Sequence, residues 1–219
     1  MSERFRDRRD AARRLAEHLE VYRNRDDVLI LALPRGGVVI GWELAVALNC
    51  PLDLLLVRKI GAPGNPELAV AAISETEARV VNQEVFAGLG LTDHYLQQEM
   101  QRQLLEIERR RALYRGGRSI RDPAGKTILL VDDGVATGAT LQAAIATLRR
   151  QVLERLVVAV PVAPLVTARR IEAQVDEWIC LRTPEDFSAV GNYYEEFDQV
   201  TDAEVIEMLR EMPADPARR

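Results

Sequence analysis

Cysteine and histidine are scarce in this sequence of 219 residues, which contains only two of each. Cys50, Cys180, His18 and His94 lie far apart and do not form the closely spaced pairs of a zinc site. The sequence therefore argues against a zinc centre built by the protein. Two isolated cysteines are typical of a cytosolic protein, in which they serve as small hydrophobic side chains.

Long apolar runs are also missing. No stretch approaches the ~18 apolar residues of a membrane-spanning helix, and the N-terminal residues MSERFRDRRDAARR lack the apolar core of a signal peptide. The net charge of −5 argues against general affinity for nucleic acids. We therefore expect a cytoplasmic protein that acts on small molecules and has no membrane partner; a homodimer is left open.

Short apolar runs separated by amphipathic segments are present instead. They predict buried strands at residues 28–33, 52–57, 128–131, 156–160 and 177–181. Helices between such strands are the pattern of right-handed crossovers in a parallel sheet. The predicted fold class is α/β, a Rossmann-like parallel sheet flanked by helices, in one domain over residues 1–219 with its core at about 24–182.

Helical periodicity predicts helices at about residues 10–22, 92–115, 141–148, 165–173 and 203–209. The long helix at 92–115, with Thr92 as its N-cap, is an insertion rich in both Arg and Glu. Mixed charge predicts a solvated, ion-paired surface, and a face that binds RNA or a partner is the alternative.

Two further segments depart from the alternation of strands and helices. Two prolines and two glycines within residues 61–66 predict a mobile loop, which short strands follow at 68–73 and 78–81. Residues 183–198 are rich in aromatic side chains and poor in periodicity.

One segment carries most of the functional information. Residues 128–140 read ILLVDDGVATGAT: an apolar strand, the carboxylates Asp132 and Asp133, and a turn of small residues before a helix. Ligands of parallel sheets bind outside the carboxyl ends of the strands, where both carboxylates would emerge. Gly138 and its small neighbours let backbone N–H groups approach a phosphate, which the start of the helix also attracts. The segment predicts a receptor for a ribose 5-phosphate.

This segment resembles the signature of the type I phosphoribosyltransferases, which bind 5-phosphoribosyl 1-pyrophosphate (PRPP). The resemblance implies that Asp132 and Asp133 are catalytic and hold the ribose hydroxyls. It also implies that the following loop binds the 5-phosphate through Val135, Ala136, Thr137, Gly138, Ala139 and Thr140. The alternative is an ordinary strand-to-helix loop. A Walker-type phosphate loop is excluded because no Lys follows the second glycine.

The resemblance extends to two basic segments. Arg35, Gly36 and Gly37 follow the first strand and resemble the family's pyrophosphate loop, which implies an unusual backbone around Pro34 and Arg35. Arg58 and Lys59 end the predicted second strand and are implied pyrophosphate ligands beside a flexible lid at residues 61–66. Lids of this family often carry catalytic basic residues, and this one has none.

Residues 183–197, TPEDFSAVGNYYEEF, resemble the hood that covers the base in purine phosphoribosyltransferases. With the N-terminal helix they would form a small hood subdomain. The resemblance implies that Phe187 stacks on the base, that Ser188 and Ala189 offer backbone contacts, and that Glu195 helps to hold Mg²⁺. The alternative is a small core formed by the four aromatic side chains Phe187, Tyr193, Tyr194 and Phe197.

The resemblance implies transfer of 5-phosphoribosyl from PRPP to a nitrogenous, purine-like base with release of pyrophosphate and with Mg²⁺ as cofactor. Ala136 weakens an assignment to 6-oxopurines, because members acting on those bases carry an Asp at this position. The alternative is a regulatory protein that senses PRPP or a nucleotide with little turnover.

Overall fold

The computed structural model describes residues 4–75 and 79–212. The helices are α1 (Arg8–His18), α2 (Gly36–Leu48), α3 (Gln83–Gly88), α4 (Asp93–Arg115), α5 (Ala139–Leu148), α6 (Leu165–Glu172) and α7 (Asp202–Glu211). The strands are β1 (Val28–Ala32), β2 (Leu52–Leu54), β3 (Val57–Ala62), β4 (Asn65–Ser74), β5 (Arg79–Val81), β6 (Thr127–Val131), β7 (Arg155–Val162) and β8 (Glu177–Arg182). Within this described part, no helix is long and apolar enough to cross a membrane.

The chain divides into two compact units. Unit 1 comprises Met1–Leu54, Arg121–Ala136 and Val152–Arg219, and unit 2 comprises Leu55–Ile120 and Thr137–Gln151.

Unit 1 is built on a parallel sheet with the strand order β2-β1-β6-β7-β8. Every residue of β1 and β6 is buried, as expected for apolar strands covered on both faces. Helices α1, α2 and α6 pack on this sheet, and α7 packs on α2. The predicted Rossmann-like parallel sheet flanked by helices is therefore confirmed.

Helix α2 approaches the sheet closely because Gly41 has no side chain. A Cβ at this position would lie 2.9 Å from side-chain atoms of both Ala32 and Leu52. The buried side chains of the helix are Val38, Ile40, Leu44, Ala45 and Leu48. This packing positions the first turn of α2 beside the end of β6.

Unit 2 contains a separate antiparallel sheet with the strand order β3-β4-β5. The predicted strand at residues 52–57 is therefore wrong in extent, since Leu52–Leu54 form β2 whereas β3 begins at Val57. Residues 52–57 are all buried although they belong to different strands, so hydrophobicity alone does not reveal the break.

Residues 61–66, predicted as a mobile loop, span the tight turn of a hairpin in which only Pro63 and Gly64 lie outside the strands; the lid role remains a prediction. Strand β3 ends at Ala62 and β4 begins at Asn65, with Gly64 at a φ of 77° in the turn. The predicted strands 68–73 and 78–81 correspond to β4 and β5, although residue 78 lies outside the described residues.

The long helix at 92–115 is confirmed. The Oγ1 of Thr92 accepts a hydrogen bond from the Tyr95 N–H, and Gly116 ends the helix in the left-handed conformation. The short helix α3, which Asn82 caps, was not predicted. The predicted N-terminal helix ends earlier, at His18, and a 3-10 turn follows at Glu20–Tyr22.

Candidate active site

The acidic pair lies at the carboxyl end of β6, in the middle of the parallel sheet. Asp132 and Asp133 directly follow this strand and are both half-buried. The Asp133 backbone N–H donates to Oδ1 of Asp132 at 2.9 Å. The sequence predicted this location, outside the carboxyl end of a buried parallel strand.

The glycine turn at the start of α2 packs against this pair. A Cβ at Gly36 would overlap the Asp133 carboxylate, and one at Gly37 would lie 3.0 Å from Cα and Oδ1 of Asp132. The predicted pyrophosphate turn and the acidic pair therefore lie together. The Pro34–Arg35 peptide is cis, which confirms the unusual backbone predicted there.

The Arg35 side chain points toward α7. Its Nη1 lies 3.7 Å from Oδ1 of Asp202, at the start of that helix. Its predicted role toward pyrophosphate remains a prediction.

Arg8 reaches the acidic pair from the first turn of α1. Its Nε donates to Oδ2 of Asp133 at 2.7 Å, and its Nη1 donates to the Asp198 carbonyl oxygen at 2.8 Å. The guanidinium carbon lies 3.8 Å from the centre of the Phe197 ring, a cation–π contact. Sequence reasoning missed this residue, because nothing in its spacing distinguishes Arg8 from the other arginines of the N-terminal segment.

The pair lies in an environment that disfavours charge. Desolvation and then the neighbouring charge of Asp133 raise the pKa of Asp132 well above its ordinary value. Desolvation also raises the pKa of Asp133, and the Arg8 guanidinium only partly offsets this effect. A ligand that donates hydrogen bonds to these oxygens would stabilise the ionised forms.

The loop after the pair is held through its backbone. The Tyr194 hydroxyl donates to the Asp133 carbonyl oxygen at 2.6 Å, and the Thr167 hydroxyl donates to the Ala136 carbonyl oxygen at 3.1 Å. The N–H of Val135 donates to Val162 in β7. Sequence reasoning assigned no role to Thr167, because these contacts join distant parts of the chain.

The predicted phosphate loop continues into unit 2, where Thr137 and Gly138 precede α5, which begins with Ala139 and Thr140. Gly138 is the N-cap residue, with a φ of 77° that favours glycine. Since glycine has no side chain, it cannot cap the N–H groups of the first turn, and the Thr137 hydroxyl accepts from Ala139 at 3.4 Å. This geometry suits an anion at the start of α5, which remains a prediction.

Arg58 and Lys59 do not lie at the end of a strand of the parallel sheet, and their predicted placement is wrong. Both lie within β3 of the antiparallel sheet in unit 2, because the apolar run that precedes them belongs to two strands. The Nε of Arg58 donates to Oε1 of Gln103 at 3.0 Å. Desolvation and the charge of Arg110 lower the Arg58 pKa. Binding of pyrophosphate by these residues remains a prediction.

The aromatic side chains of the predicted hood pack in two groups. Tyr194 is buried and stacks on Phe197, with ring centres 4.8 Å apart, and it also contacts Phe5. Phe187 and Tyr193 stack on each other with ring centres 5.5 Å apart. Of the four side chains only Tyr194 is buried, so they form two stacked pairs rather than a single core, and stacking of Phe187 on a base remains a prediction.

The other predicted hood residues lie at the surface. Ser188 and Ala189 are exposed, and the Ser188 hydroxyl accepts a hydrogen bond from Asn192. Glu195 is exposed, and its backbone N–H donates to the Phe5 carbonyl oxygen. In the parts of the chain that the structure describes, no group of three His, Cys, Asp or Glu side chains could hold a metal ion.

A cavity of about 500 Å³ also lies in unit 1, between α1, α7 and the segment that follows the hood. Acidic residues outnumber the two arginines in its wall, Arg8 and Arg9; the acidic residues are Asp7, Glu196, Asp198, Glu204, Glu207 and Glu211. Because like charges repel, we do not assign a phosphate-bearing ligand to this cavity.

Comparison with known proteins places these features in a family. The phosphoribosyl transferase domain profile matches residues 3–196. The crystal structure of TT1426 from Thermus thermophilus is 42% identical and superimposes with a TM-score of 0.84 over 95% of this chain and 99% of that chain. Rv0571c of Mycobacterium tuberculosis, provisionally named a phosphoribosyl transferase, is 42% identical over 205 residues, which cover 94% of this chain. Those residues are 46% of that protein, so this chain spans about half the length of the relative. The chain belongs to the phosphoribosyl transferase family.

Proposed function

We propose that this protein transfers 5-phosphoribosyl from PRPP to a nitrogenous, purine-like base and releases pyrophosphate. The observation that carries the proposal is the contact between the acidic pair and the glycine turn at Gly36 and Gly37. An ordinary strand-to-helix loop has no need for two carboxylates against a turn that tolerates no side chain.

The chemistry that this arrangement supports follows from the charges that develop. Departure of pyrophosphate builds positive charge at the anomeric carbon, as in glycoside cleavage. Asp132 and Asp133 would orient the ribose by accepting hydrogen bonds from its hydroxyls, while the N-terminus of α5 would hold the 5-phosphate. Donors from the glycine turn would stabilise the charge on the leaving group.

Magnesium is the cofactor that the family implies. Mg²⁺ in proteins is usually bound through one or two carboxylates together with phosphate oxygens of the substrate. Among the described residues, Glu195 is an exposed carboxylate that could bind an ion which also contacts the phosphates of PRPP. When bound, Mg²⁺ would neutralise charge on pyrophosphate.

Release of pyrophosphate from PRPP and Mg²⁺ across a panel of bases tests the proposal. Replacing both Asp132 and Asp133 by Asn should lower turnover at least about 100-fold, the scale for loss of one preorganised polar contact. Circular dichroism should confirm that the double variant is folded. Full turnover in that folded variant would overturn the assignment.

A regulatory protein that senses PRPP or a nucleotide is the second candidate. The absence of basic residues from 61–66 and the alanine at position 136 favour it. Isothermal titration separates the two, since binding of PRPP with Mg²⁺ but no pyrophosphate release with any base would identify the regulator.

A further inference from the structure

The Arg8 side chain, which is largely shielded from solvent, links α1 to three other parts of unit 1. It donates to the Asp133 carboxylate and the Asp198 carbonyl oxygen, and it lies over the Phe197 ring. A Cβ at Gly36 would lie 3.1 Å from the Arg8 Nε and would overlap the Asp133 carboxylate, so the guanidinium and the carboxylate together pack against the glycine turn. The side chains of Arg8 and Asp133 retain exposures of only 11% and 16%. Ion pairs with so little solvent differ from surface pairs, because removing one partner leaves a charge uncompensated.

The acidic pair uses one oxygen of each carboxylate for contacts within the protein. Oδ1 of Asp132 accepts from the Asp133 N–H, and Oδ2 of Asp133 accepts from Arg8. From the described residues, no hydrogen bond reaches the other two oxygens, Oδ2 of Asp132 and Oδ1 of Asp133. One acceptor on each aspartate thus remains for two hydroxyl groups.

We propose that Arg8 is a positioning residue for PRPP: it occupies Oδ2 of Asp133 and fixes this carboxylate so that Oδ1 accepts from a ribose hydroxyl. This inference rests on the proposed function. Arg8 acts through Asp133 and does not itself contact the donor.

The geometry of the guanidinium explains why an arginine suits this role. Its planar fork donates in two directions, toward the carboxylate and toward the Asp198 carbonyl oxygen, while the aromatic ring supports one face. A lysine could keep the charge and one hydrogen bond, but it would lose the second donor and the stacking. The orientation of Asp133 thereby depends on the segment that carries Phe197 and Asp198.

A double-mutant cycle tests the proposal. Dissociation constants for PRPP with Mg²⁺ are measured by isothermal titration for the full chain, Arg8→Gln, Arg8→Lys, Asp133→Asn and both Arg8 variants combined with Asp133→Asn. Arg9→Gln is the matched control, since Arg9 follows on the same helix and pairs with Glu43 from a half-exposed position.

We expect Arg8→Gln to weaken PRPP binding about tenfold, the scale of one charge-assisted hydrogen bond. Arg8→Lys should weaken PRPP binding less than Arg8→Gln does, and Arg9→Gln should bind PRPP like the unaltered protein. In the Asp133→Asn background, neither Arg8 variant should weaken binding further. If Arg8→Gln does not fold, the double-mutant cycle is measured with Arg8→Lys instead.

Equal losses in the Asp133 and Asp133→Asn backgrounds would overturn the positioning role, because Arg8 would then act independently of this carboxylate. Unchanged binding in the folded Arg8 variants would overturn it as well. If the unaltered protein does not bind PRPP, the proposed function itself fails, and this result is distinct from both.

Discussion

Asp132 and Asp133 show how a binding site can oppose stability at the scale of single residues. Two adjacent carboxylates lie where desolvation raises the pKa of both. A raised folded-state pKa means that stability is fully present below the ordinary pKa of the carboxyl group and is lost as pH rises through the folded value. The raised pKa of Asp132 therefore makes the free energy of unfolding lower at neutral pH than at a pH below the ordinary pKa of the carboxyl group.

We accordingly expect Asp132→Asn to raise the free energy of unfolding at pH 7 by about 1 kcal/mol, a usual size for stabilising substitutions. The amide keeps the oxygen that accepts from the Asp133 N–H and removes the charge. Urea unfolding at several pH values checks this, and the gain should disappear below the ordinary Asp value of 3.8. A variant less stable than the unaltered protein at pH 7 would contradict the prediction. PRPP binding should weaken in the same variant.

Gly36 is expected to tolerate no side chain. In Gly36→Ala the new Cβ would overlap the Asp133 carboxylate, so the turn or the carboxylate must move. Overpacking of this kind costs about 1–3 kcal/mol in unfolding free energy, and PRPP binding should weaken too.

Gly88→Ala is the matched control for Gly36→Ala. A Cβ at Gly88, the last residue of α3, meets no atom within 4 Å. Thermal unfolding followed by circular dichroism should find the control unchanged or slightly more stable. Equal unfolding temperatures of the two variants would count against close packing between Gly36 and the Asp133 carboxylate.

At the scale of elements, α4 combines a solvated face with one buried ion pair. Arg102, Arg109 and Arg111 each form an ion pair with a glutamate three residues earlier on the helix. This agrees with the ion-paired surface that the mixed charge predicts. Arg115 pairs instead with Glu75, the residue directly after β4, and the two side chains are only 7% and 2% exposed.

We expect Glu75→Gln to lower the free energy of unfolding by about 3 kcal/mol, because it removes the negative charge beside a buried guanidinium. Glu99→Gln is the control, since its partner Arg102 is 72% exposed and such pairs contribute less than about 1 kcal/mol. Chemical denaturation measures both. Similar losses in the two variants would refute the distinction.

At the scale of the whole molecule, a ligand of the native state should raise the unfolding temperature. PRPP at about 100 times its dissociation constant adds about 2.7 kcal/mol by mass action, which corresponds to roughly 5–10 °C for a chain of this length. Differential scanning fluorimetry with PRPP and Mg²⁺ measures the shift. The variant with both Asp132→Asn and Asp133→Asn should show no such rise in unfolding temperature. A rise of equal size in this variant would mean that PRPP binds at another site.

Much of the fold could be predicted because a strand that is buried on both faces consists almost entirely of apolar residues. The runs that form β1, β6 and β7 are apolar throughout most of their length, and Thr92 and Gly116 bound α4 through local cap chemistry. The prediction was wrong where a single apolar run belongs to two different strands. The apolar run at residues 52–57 continues from an edge strand of one sheet into a strand of another, and Arg58 and Lys59 were misplaced with it.

The sequence by itself determined the acidic pair at a strand end, the small-residue turn after it and the glycine turn that follows β1. These are local features, because residue type and spacing decide where a strand stops and where backbone N–H groups are accessible. Only the tertiary structure decided that the Gly36 turn touches the Asp133 carboxylate and that Arg8, 125 residues away, pairs with it. Such contacts depend on how helices pack on the sheet, and the chain near Arg8 carries many arginines of equal local character. The tertiary structure selects one of them, because among the described arginines of this segment only Arg8 contacts a carboxylate, a carbonyl oxygen and an aromatic ring with a side chain that is 11% exposed.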